Sequence, residues 1–303
     1  MSSVNERELD EVRTIEEGFK KAYDGDLKGT VDAIDKLRDF TFQLIHMSVT
    51  AENELDIKAL MISIGDIGRV AAEMKMEPAC DASSHSLGNI TLEAADQKRE
   101  PLAIKALSII GTLSLEFAGK GLDTAAKGAV ESLGNCGKIF SRMKMETLIS
   151  LSEIYLMRIA LKSMEKNLSE TGPAAISFLG EIGVSSAEQA IETSTLEAAV
   201  ILEDLGNAAV REKNESYAKA VIQALENIGA AVSPHNLKNI LVQIAWSLET
   251  MRVLALDQDL KAASLEAKAA LESLNTAGML DEEQNLEKIQ EIKKFHSLIL
   301  KKG

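Results

Sequence analysis

The amino-acid sequence predicts an all-α fold, an α-solenoid of about 12–13 stacked antiparallel helices with atypical capping helices at its two ends. Two observations predict it. Ala, Leu, Ile, Glu and Lys dominate the composition, and only 4% of the residues are aromatic, which favours helix over sheet. No segment alternates apolar and polar residues with the period of two that is typical of a strand. The second observation is a short word repeated at a fixed spacing, which is typical of a repeat array.

The repeated word is built on Leu-Gly or Ile-Gly. Its first four copies are IGDIG at 64–68, LGNIT at 87–91, IGTLS at 110–114 and LGNCG at 133–137, with their first glycines 23 residues apart. A glycine inside a helix costs ~1 kcal/mol relative to alanine. We therefore expect each one to allow the close approach of a neighbouring helix. The repeat glycines are Gly65, Gly88, Gly111, Gly134, Gly180, Gly206 and Gly229.

A helical hairpin is predicted to cap the N-terminal end of the array, within residues 1–55. Gly25 separates its two amphipathic helices, the second of which starts near Val31. A terminal unit of an array is usually atypical, because one of its faces must meet water. The residues predicted to share the apolar face of the first helix are Leu9, Val12, Ile15 and Phe19.

The repeats are predicted to occupy residues 56–256, each with one helix of about 17–19 residues and a short turn. Two such units make a helical pair of 46 residues. Pro78 and Pro101 are predicted to start helices, because proline is tolerated in the first turn. Residues 257–303 are predicted to form C-terminal capping helices, the last of them amphipathic at 281–300. No low-complexity linker interrupts the sequence, which predicts one continuous domain, 1–303.

The spacing of the words is not uniform in the second half of the chain. The step from Gly180 to Gly206 is 26 residues, whereas the step from Gly206 to Gly229 is again 23. This difference predicts a small insertion around Ser185–Thr195, which in a solenoid emerges as a loop on one face.

The words extend to the pattern Ala-x-x-x-Leu/Ile-Gly-x-Ile/Leu, found at Ala59–Ile67, Ala106–Leu113, Ala129–Cys136, Ala175–Ile182 and Ala224–Ile228. This pattern on successive short helices resembles HEAT-like and armadillo-type repeats. The resemblance covers about residues 56–256 and includes no catalytic residue. It implies an α-solenoid that binds other macromolecules along a curved surface.

Charge and targeting features exclude several classes of protein. The net charge of −14 argues against binding to nucleic acid or to anionic lipid, since both require a basic surface. The polar start of the sequence does not resemble a signal peptide. The most apolar stretch, at 103–119, contains Lys105 and Glu116, so we expect no membrane insertion. Only two cysteines are present, and a cytoplasmic location is therefore expected.

Candidate chemistry is sparse. The four histidines form no His-x-x-x-His or Glu-x-x-His pair, so the helical spacings of zinc and di-iron sites are missing. Cys80, Asp81 and His85 are the nearest approach to a metal site, but a solvated first helical turn explains them better. Trp246 is predicted to pack in the core or at its rim. We expect no catalytic residue, no metal site and no cofactor.

One segment differs in charge from the rest. Residues 167–210 contain no lysine or arginine but seven acidic residues. Two interpretations remain open: an ordinary solvated surface of an acidic protein, or a docking patch for a basic partner. Glu170 is the first of the seven. The residues assigned to the candidate patch are Glu181, Glu188, Glu192, Glu197, Glu203 and Asp204.

The sequence thus favours a non-catalytic scaffold or adaptor that binds a protein partner through the surface of its helical repeats, and the docking-patch interpretation makes that partner basic. An accessory subunit of an enzyme, or a helical enzyme with a carboxylate-based site, is the alternative. Binding of a small ligand or nucleic acid in a groove is a third and weaker hypothesis. The sequence indicates neither the oligomeric state nor the identity of the partner.

Overall fold

The structure is a computed structural model that describes residues 2–47, 50–235 and 237–276. Within these residues it contains twelve α-helices, one short 3-10 turn and no strand, which confirms the all-α prediction. The predicted amphipathic helix at 281–300 lies outside the described residues. The helices are α1 Ser2–Tyr23, α2 Leu27–His46, α3 Ala51–Glu73, α4 Glu77–Asp96, α5 Glu100–Gly119, α6 Asp123–Met143, α7 Glu146–Glu165, α8 Thr171–Glu188, α9 Glu192–Arg211, α10 Glu215–Val232, α11 Lys238–Asp257 and α12 Lys261–Thr276, with the 3-10 turn at Ser233–His235.

Most helices from α3 onward end in the same way. One residue adopts the left-handed backbone conformation, and the N–H of the next residue donates to a carbonyl five residues back, as Met76 does to Ala71 at 2.8 Å. This is the Schellman arrangement, which satisfies carbonyls that a helix end leaves unpaired. The left-handed residues recur every 23 residues, with one period omitted before the last: Lys75, Lys98, Gly121, Lys144, Asn167, Ala190, Lys213 and Asp259.

The left-handed residues show that the predicted insertion around Ser185–Thr195 is wrong. The helix α8 ends and α9 begins around Ala190, with a connection as short as that between α4 and α5. The 26-residue step arises because the word changes its place within the helix. Gly180 lies ten residues before Ala190, whereas Gly206 lies seven residues before Lys213. The repeat length itself is therefore constant.

Among α1–α5, and again among α9–α12, each helix packs against the next helix and against the next but one, as α3 does with α4 and α5, and α9 with α10 and α11. Contacts group the described residues into two compact units, one from 2–139 and 154–175 and the other from 140–153 and 176–276. In each unit the odd-numbered helices form one layer, the even-numbered helices form a second, and the core lies between them. This is the α-solenoid arrangement. The single continuous domain stays a prediction.

The repeat glycines lie where helices of one layer approach each other. A Cβ atom added to Gly180 would lie 2.8 Å from the Cβ of Ala224, two helices further on. Gly134 lies inside α6 and is buried. The other repeat glycines and the side chain that an added Cβ would meet are Gly65 with Ile109, Gly88 with Ser132, Gly111 with Tyr155, Gly206 with Met251 and Gly229 with Leu274.

Acidic residues at the starts of even helices cap the next helix of the even layer, which lies two helices further along the chain. Glu77 accepts the backbone N–H of Ala125 at 3.3 Å, and Glu215 accepts that of Ala263 at 3.3 Å. The helices α4, α5, α9 and α11 have no side-chain cap of their own, because an apolar or basic residue occupies the N-cap position. A carboxylate at a helix N-terminus is favourable both as an acceptor and toward the helix dipole.

Asp123 accepts more hydrogen bonds than Glu77 or Glu215 does in this role. Its carboxylate accepts the backbone N–H groups of Ser169, Glu170 and Thr171 at 3.0–3.2 Å and the Thr171 hydroxyl at 2.6 Å. Partial burial opposes ionisation of Asp123, but these hydrogen bonds outweigh it and lower the pKa of the carboxyl. The helix α8 thus starts from a carboxylate that another helix supplies.

Replacing Asp123 with alanine should destabilise the fold by about 1–2 kcal/mol, the usual cost of losing an N-cap. Because the pKa of Asp123 is lowered in the folded state, its contribution is present above the unfolded pKa of 3.8 and is lost as the pH falls through the folded value. Chemical denaturation at pH 7 and pH 3 measures both effects. Glu131→Ala, at an exposed position of the same helix, is the control. An equal loss of stability in the two variants would contradict the capping role.

The apolar face predicted for α1 is wrong in part. Leu9 and Val12 are 71% and 56% exposed, and the helix instead packs its small residues inward. Gly18 lies so close to α3 that an added Cβ would be 2.7 Å from Ile67, and Ala22 is fully buried. The close approach that Gly18 permits therefore decides which face of the helix is buried.

Candidate functional site

The acidic residues of the candidate patch occupy two helices that belong to different layers. Glu181 and Glu188 are exposed on α8, which packs against α10 through Gly180 and Gly183. Glu192 and Asp204 are exposed on α9, which packs against α11. Because the outer faces of two packed layers point away from each other, the six residues do not form a single cluster.

Two of the six carboxylates bond to other helices, while Glu181 accepts the hydroxyl of Ser177 on its own helix at 3.5 Å. Glu197 accepts the hydroxyl of Ser150 on α7 at 2.8 Å. Glu203 accepts the side-chain amide of Gln243 at 2.7 Å and the hydroxyl of Ser247 at 2.8 Å, both on α11. Both glutamates are half-buried, so their carboxylates join neighbouring helices. Of the four candidate patch residues on α9, Glu192 and Asp204 have exposed side chains.

Glu153 is a residue that the sequence reasoning missed. It is 0% exposed on α7, and neither of its carboxyl oxygens has a hydrogen-bond partner in the described part of the chain. Burial raises the pKa of Glu153 well above its usual value of 4.5, and the nearby charge of Glu197 adds to the shift. This setting favours the neutral, protonated form of the carboxyl.

The repeat register identifies Glu153 as a substitution in the core. It lies 14 residues before the left-handed Asn167. The same place holds a buried Ser84 in α4 and Ala245, 6% exposed, in α11. In six further helices it holds apolar residues that are at most 1% exposed: Met61, Leu107, Val130, Ile176, Ala199 and Ile222. Aligning the chain in its period of 23, rather than on the Leu-Gly words, would have revealed this glutamate.

The described residues offer little other chemistry. No group of three or more His, Cys, Asp or Glu side chains among them is placed to hold a metal ion. Burial raises the pKa of both Cys80 and Cys136 to about 12. The thiols are free and buried and stay protonated, so they are poor nucleophiles. An open pocket of about 310 Å³ between α1 and α2 is lined by polar groups, among them the bonded pair Lys21 and Asp26.

At one outward-facing place in the repeat, the helices α3–α11 differ in polarity between the two layers, which the sequence reasoning also missed. Thirteen residues before each left-handed position, and at the matching place of α10, the side chain points out of its layer. The even helices α4, α6, α8 and α10 carry His85, Glu131, Ser177 and Gln223 there. The odd helices carry mostly apolar residues at the same place, 46 residues apart: Ile62, Ser108, Ile154, Val200 and Trp246.

The helix α5 is, within the described residues, the one helix apolar and long enough to span a membrane by length and composition, with a mean hydropathy of 1.5. Its residues Leu107, Ile110 and Leu113 are 0% exposed, and it packs against α3 and α4. A buried core helix has the same composition, so this feature is weak evidence for a membrane span.

Comparison with known proteins finds a likeness in structure but none in sequence family. No protein-family model and no curated protein matches the chain. Among solved structures, the chain is similar to one described as "Circular tandem repeat protein with novel repeat topology and enhanced subunit contact surfaces". The TM-score is 0.46 and the identity 14%, over 92% of this chain and 74% of that chain. The constant helix register and the packing of neighbouring helices establish that this protein is an all-α helical repeat protein.

Proposed function

We propose that the protein is a non-catalytic interaction scaffold of the cytoplasm that binds a basic protein partner through the outer surface of its helical repeats. The 46-residue helical pair lies within the range of about 40–47 residues that HEAT-like and armadillo-type repeats span. A helical repeat array provides an extended surface, and surfaces of this kind commonly bind other macromolecules.

The observation that carries the proposal is the acidic segment. Residues 167–210 lack lysine and arginine, and Glu188, Glu192 and Asp204 are exposed within it. Exposed negative charge attracts a basic partner and raises its association rate, and salt weakens this effect. Such exposed charges contribute little to folding, so their loss should affect binding without affecting the fold.

A charge-neutralised variant tests the proposal. Glu188→Gln, Glu192→Gln and Asp204→Asn are combined, while Glu197 and Glu203 are kept because their carboxylates bond to neighbouring helices. The matched control neutralises three exposed acidic residues outside the segment, namely Glu16, Asp96 and Glu131. Partner recovery from the native cell is measured at low and at high salt, with circular dichroism to verify the fold.

We expect the charge-neutralised variant to recover less partner than the wild type at low salt. At high salt the two proteins should recover similar amounts. The control variant should behave like the wild type. Equal recovery by the wild type and both variants at every salt concentration would show that the acidic segment is only a solvated surface.

An enzyme or enzyme-associated protein with a carboxylate-based site is the second candidate, and Glu153 is the observation that favours it. A buried carboxyl with a raised pKa is common at catalytic sites, although structural networks produce it as well. A catalytic carboxyl must be reachable from solution. Coupling of the native protein to a water-soluble carbodiimide and an amine, followed by peptide mass mapping, tests this. Modification of Glu153 would support a site, and protection until unfolding would support a core role.

A further inference from the structure

We propose that the outer face of α9 and α11 binds a basic amphipathic helix of the protein partner, with its apolar residues against Leu196, Val200 and Trp246. This proposal rests on the proposed function and specifies its surface and the chemistry of the bound segment. Both helices belong to one compact unit and pack against each other in the odd layer.

The outer face of α9 carries a short apolar stripe with an acidic residue at each end. Glu192, Leu196, Val200 and Asp204 follow one another at steps of four residues, which places them along one side of the helix. All four are exposed, and Leu196 and Val200 are each 42% exposed. The stripe therefore combines two apolar contacts with two carboxylates, and both are available to a partner.

Trp246 extends the apolar surface onto the next helix of the layer. It lies on α11, 46 residues after Val200, and so occupies the equivalent place in the repeat. It is half-buried rather than buried. Helices packed in one layer are separated by about 8–10 Å, so Trp246 lies on the helix directly beside the α9 stripe. Tryptophan is enriched among the residues that dominate binding energy at interfaces.

The polarity of α9 and α10 supports the choice of this face over the opposite one. On α10, an even helix of the same unit, the matching outer residues are Glu215, Lys219, Gln223 and Asn227, all polar. A solvated surface needs no apolar residues, and α10 has none at these four positions, whereas the even helix α12 exposes Leu265 at the place that Lys219 holds on α10. In the odd layer, Leu196 and Val200 on α9 occupy the places that Lys219 and Gln223 occupy on α10.

The charges on α9 specify the bound segment. Glu192 and Asp204 lie one helical turn beyond the two ends of the apolar pair Leu196 and Val200. A bound helix therefore needs a lysine or arginine one turn beyond each end of its own apolar pair. An acidic or a purely apolar segment would leave Glu192 and Asp204 repelled or desolvated without compensation. A helix with apolar residues four apart and a basic residue four further on each side meets both conditions. The pattern is symmetric and fits in either direction.

A synthetic peptide provides the probe: a capped alanine- and glutamine-based helix with the order Lys, Leu, Leu, Lys at steps of four residues. Trp246 is the only tryptophan in the chain, so its fluorescence reports binding directly. We expect saturable binding with a shift of the emission to shorter wavelength, weakened by salt. Two control peptides should each bind at least about tenfold more weakly. One has the same composition with its two leucines on opposite faces, and the other has glutamate in place of lysine.

Variants of the protein test the surface itself. Leu196→Gln and Val200→Thr should each weaken peptide binding by about tenfold, as expected for contacts at the centre of an interface. Ile62→Thr is the matched control, because Ile62 is 41% exposed at the equivalent place of α3. Asp204→Asn should lower affinity for the lysine peptide but not for a peptide with glutamine in place of both lysines. Circular dichroism verifies that each variant folds.

The possible results separate this inference from the proposed function. Absence of saturable peptide binding would overturn the proposal that the α9–α11 surface binds the partner. Equal weakening of peptide binding by Ile62→Thr and by Val200→Thr would also overturn it. If Leu196→Gln nevertheless leaves salt-sensitive partner recovery intact, the scaffold function stands and its binding surface lies elsewhere. Loss of peptide binding and of partner recovery in Leu196→Gln, with Ile62→Thr unaffected, supports both.

Discussion

Replacing Glu153 with leucine should stabilise the protein by about 2–4 kcal/mol at pH 7. The estimate combines removal of a buried polar group without a partner, ~1–3 kcal/mol from mutational data, with the burial of an apolar side chain of similar size, ~1.5–3 kcal/mol less any misfit. Leu107 and Ile176 already fill the same place in other repeats, so the core can accept the change.

The pH dependence provides a second and independent readout. Because the folded pKa of Glu153 is raised above its unfolded value of 4.5, the folded state holds the proton more tightly than the unfolded state. Its contribution to stability is therefore fully present below pH 4.5 and is lost as the pH rises through the folded pKa. The advantage of Glu153→Leu over the wild type should be larger at pH 8 than at pH 5.

Urea denaturation of the wild type, Glu153→Leu and Glu153→Gln across this pH range measures both effects. Glutamine keeps the shape but does not titrate, so its stability should lack the wild-type decrease between pH 5 and pH 8. Glu131→Leu, at an exposed position of α6, controls for the general effect of leucine and should change stability by no more than about 0.5 kcal/mol. A destabilised Glu153→Leu variant would show that the carboxyl has a partner that compensates its burial.

The sequence predicted the fold well because its period is a local property. A helix of constant length and a short turn produce the same 23-residue step wherever they occur, and Pro78 does start a helix as predicted. The position of the repeated word indicated the repeat length less reliably than the 23-residue period did. It can sit at either of two glycine places in a helix, as Gly180 and Gly206 do, and each place satisfies the need for close packing.

The candidate surface was harder to predict because it depends on which layer a helix belongs to. Adjacent charges in the sequence, such as Glu188 and Glu192, lie on helices of different layers. Residues 46 apart, such as Val200 and Trp246, occupy equivalent places on neighbouring helices of one layer. An unbroken acidic segment of the chain therefore does not become an unbroken acidic surface. The polarity of the layers becomes visible only when the chain is divided into odd and even repeats.

Gly111→Ala should destabilise the protein by about 1–3 kcal/mol, the usual cost of overpacking a core, although alanine has the better helix propensity by ~1 kcal/mol. An added Cβ would lie 2.3 Å from two ring carbons of Tyr155 on α7, so the ring or the helix must move. Gly111→Leu should cost more still.

Gly88→Ala is the matched comparison for Gly111→Ala. Its added Cβ would meet the Cβ of Ser132 at 3.3 Å, a contact that a shift of a few tenths of an ångström relieves. The gain in helix propensity then offsets the strain, and we expect a change within about 0.5 kcal/mol of zero. Gly88→Leu, which adds a branched side chain at the same contact, should cost ~1–3 kcal/mol.

A double-mutant cycle identifies Tyr155 as the cause. If the Tyr155 ring is what opposes the new methyl group, Gly111→Ala should cost much less in a Tyr155→Ala background than in the wild type, with a coupling energy of about 0.5–3 kcal/mol. Thermal and urea denaturation of the four proteins gives the cycle. A stabilising Gly111→Ala, or additive effects of the two changes, would mean that α5 and α7 are further apart than the contact between Gly111 and Tyr155 requires.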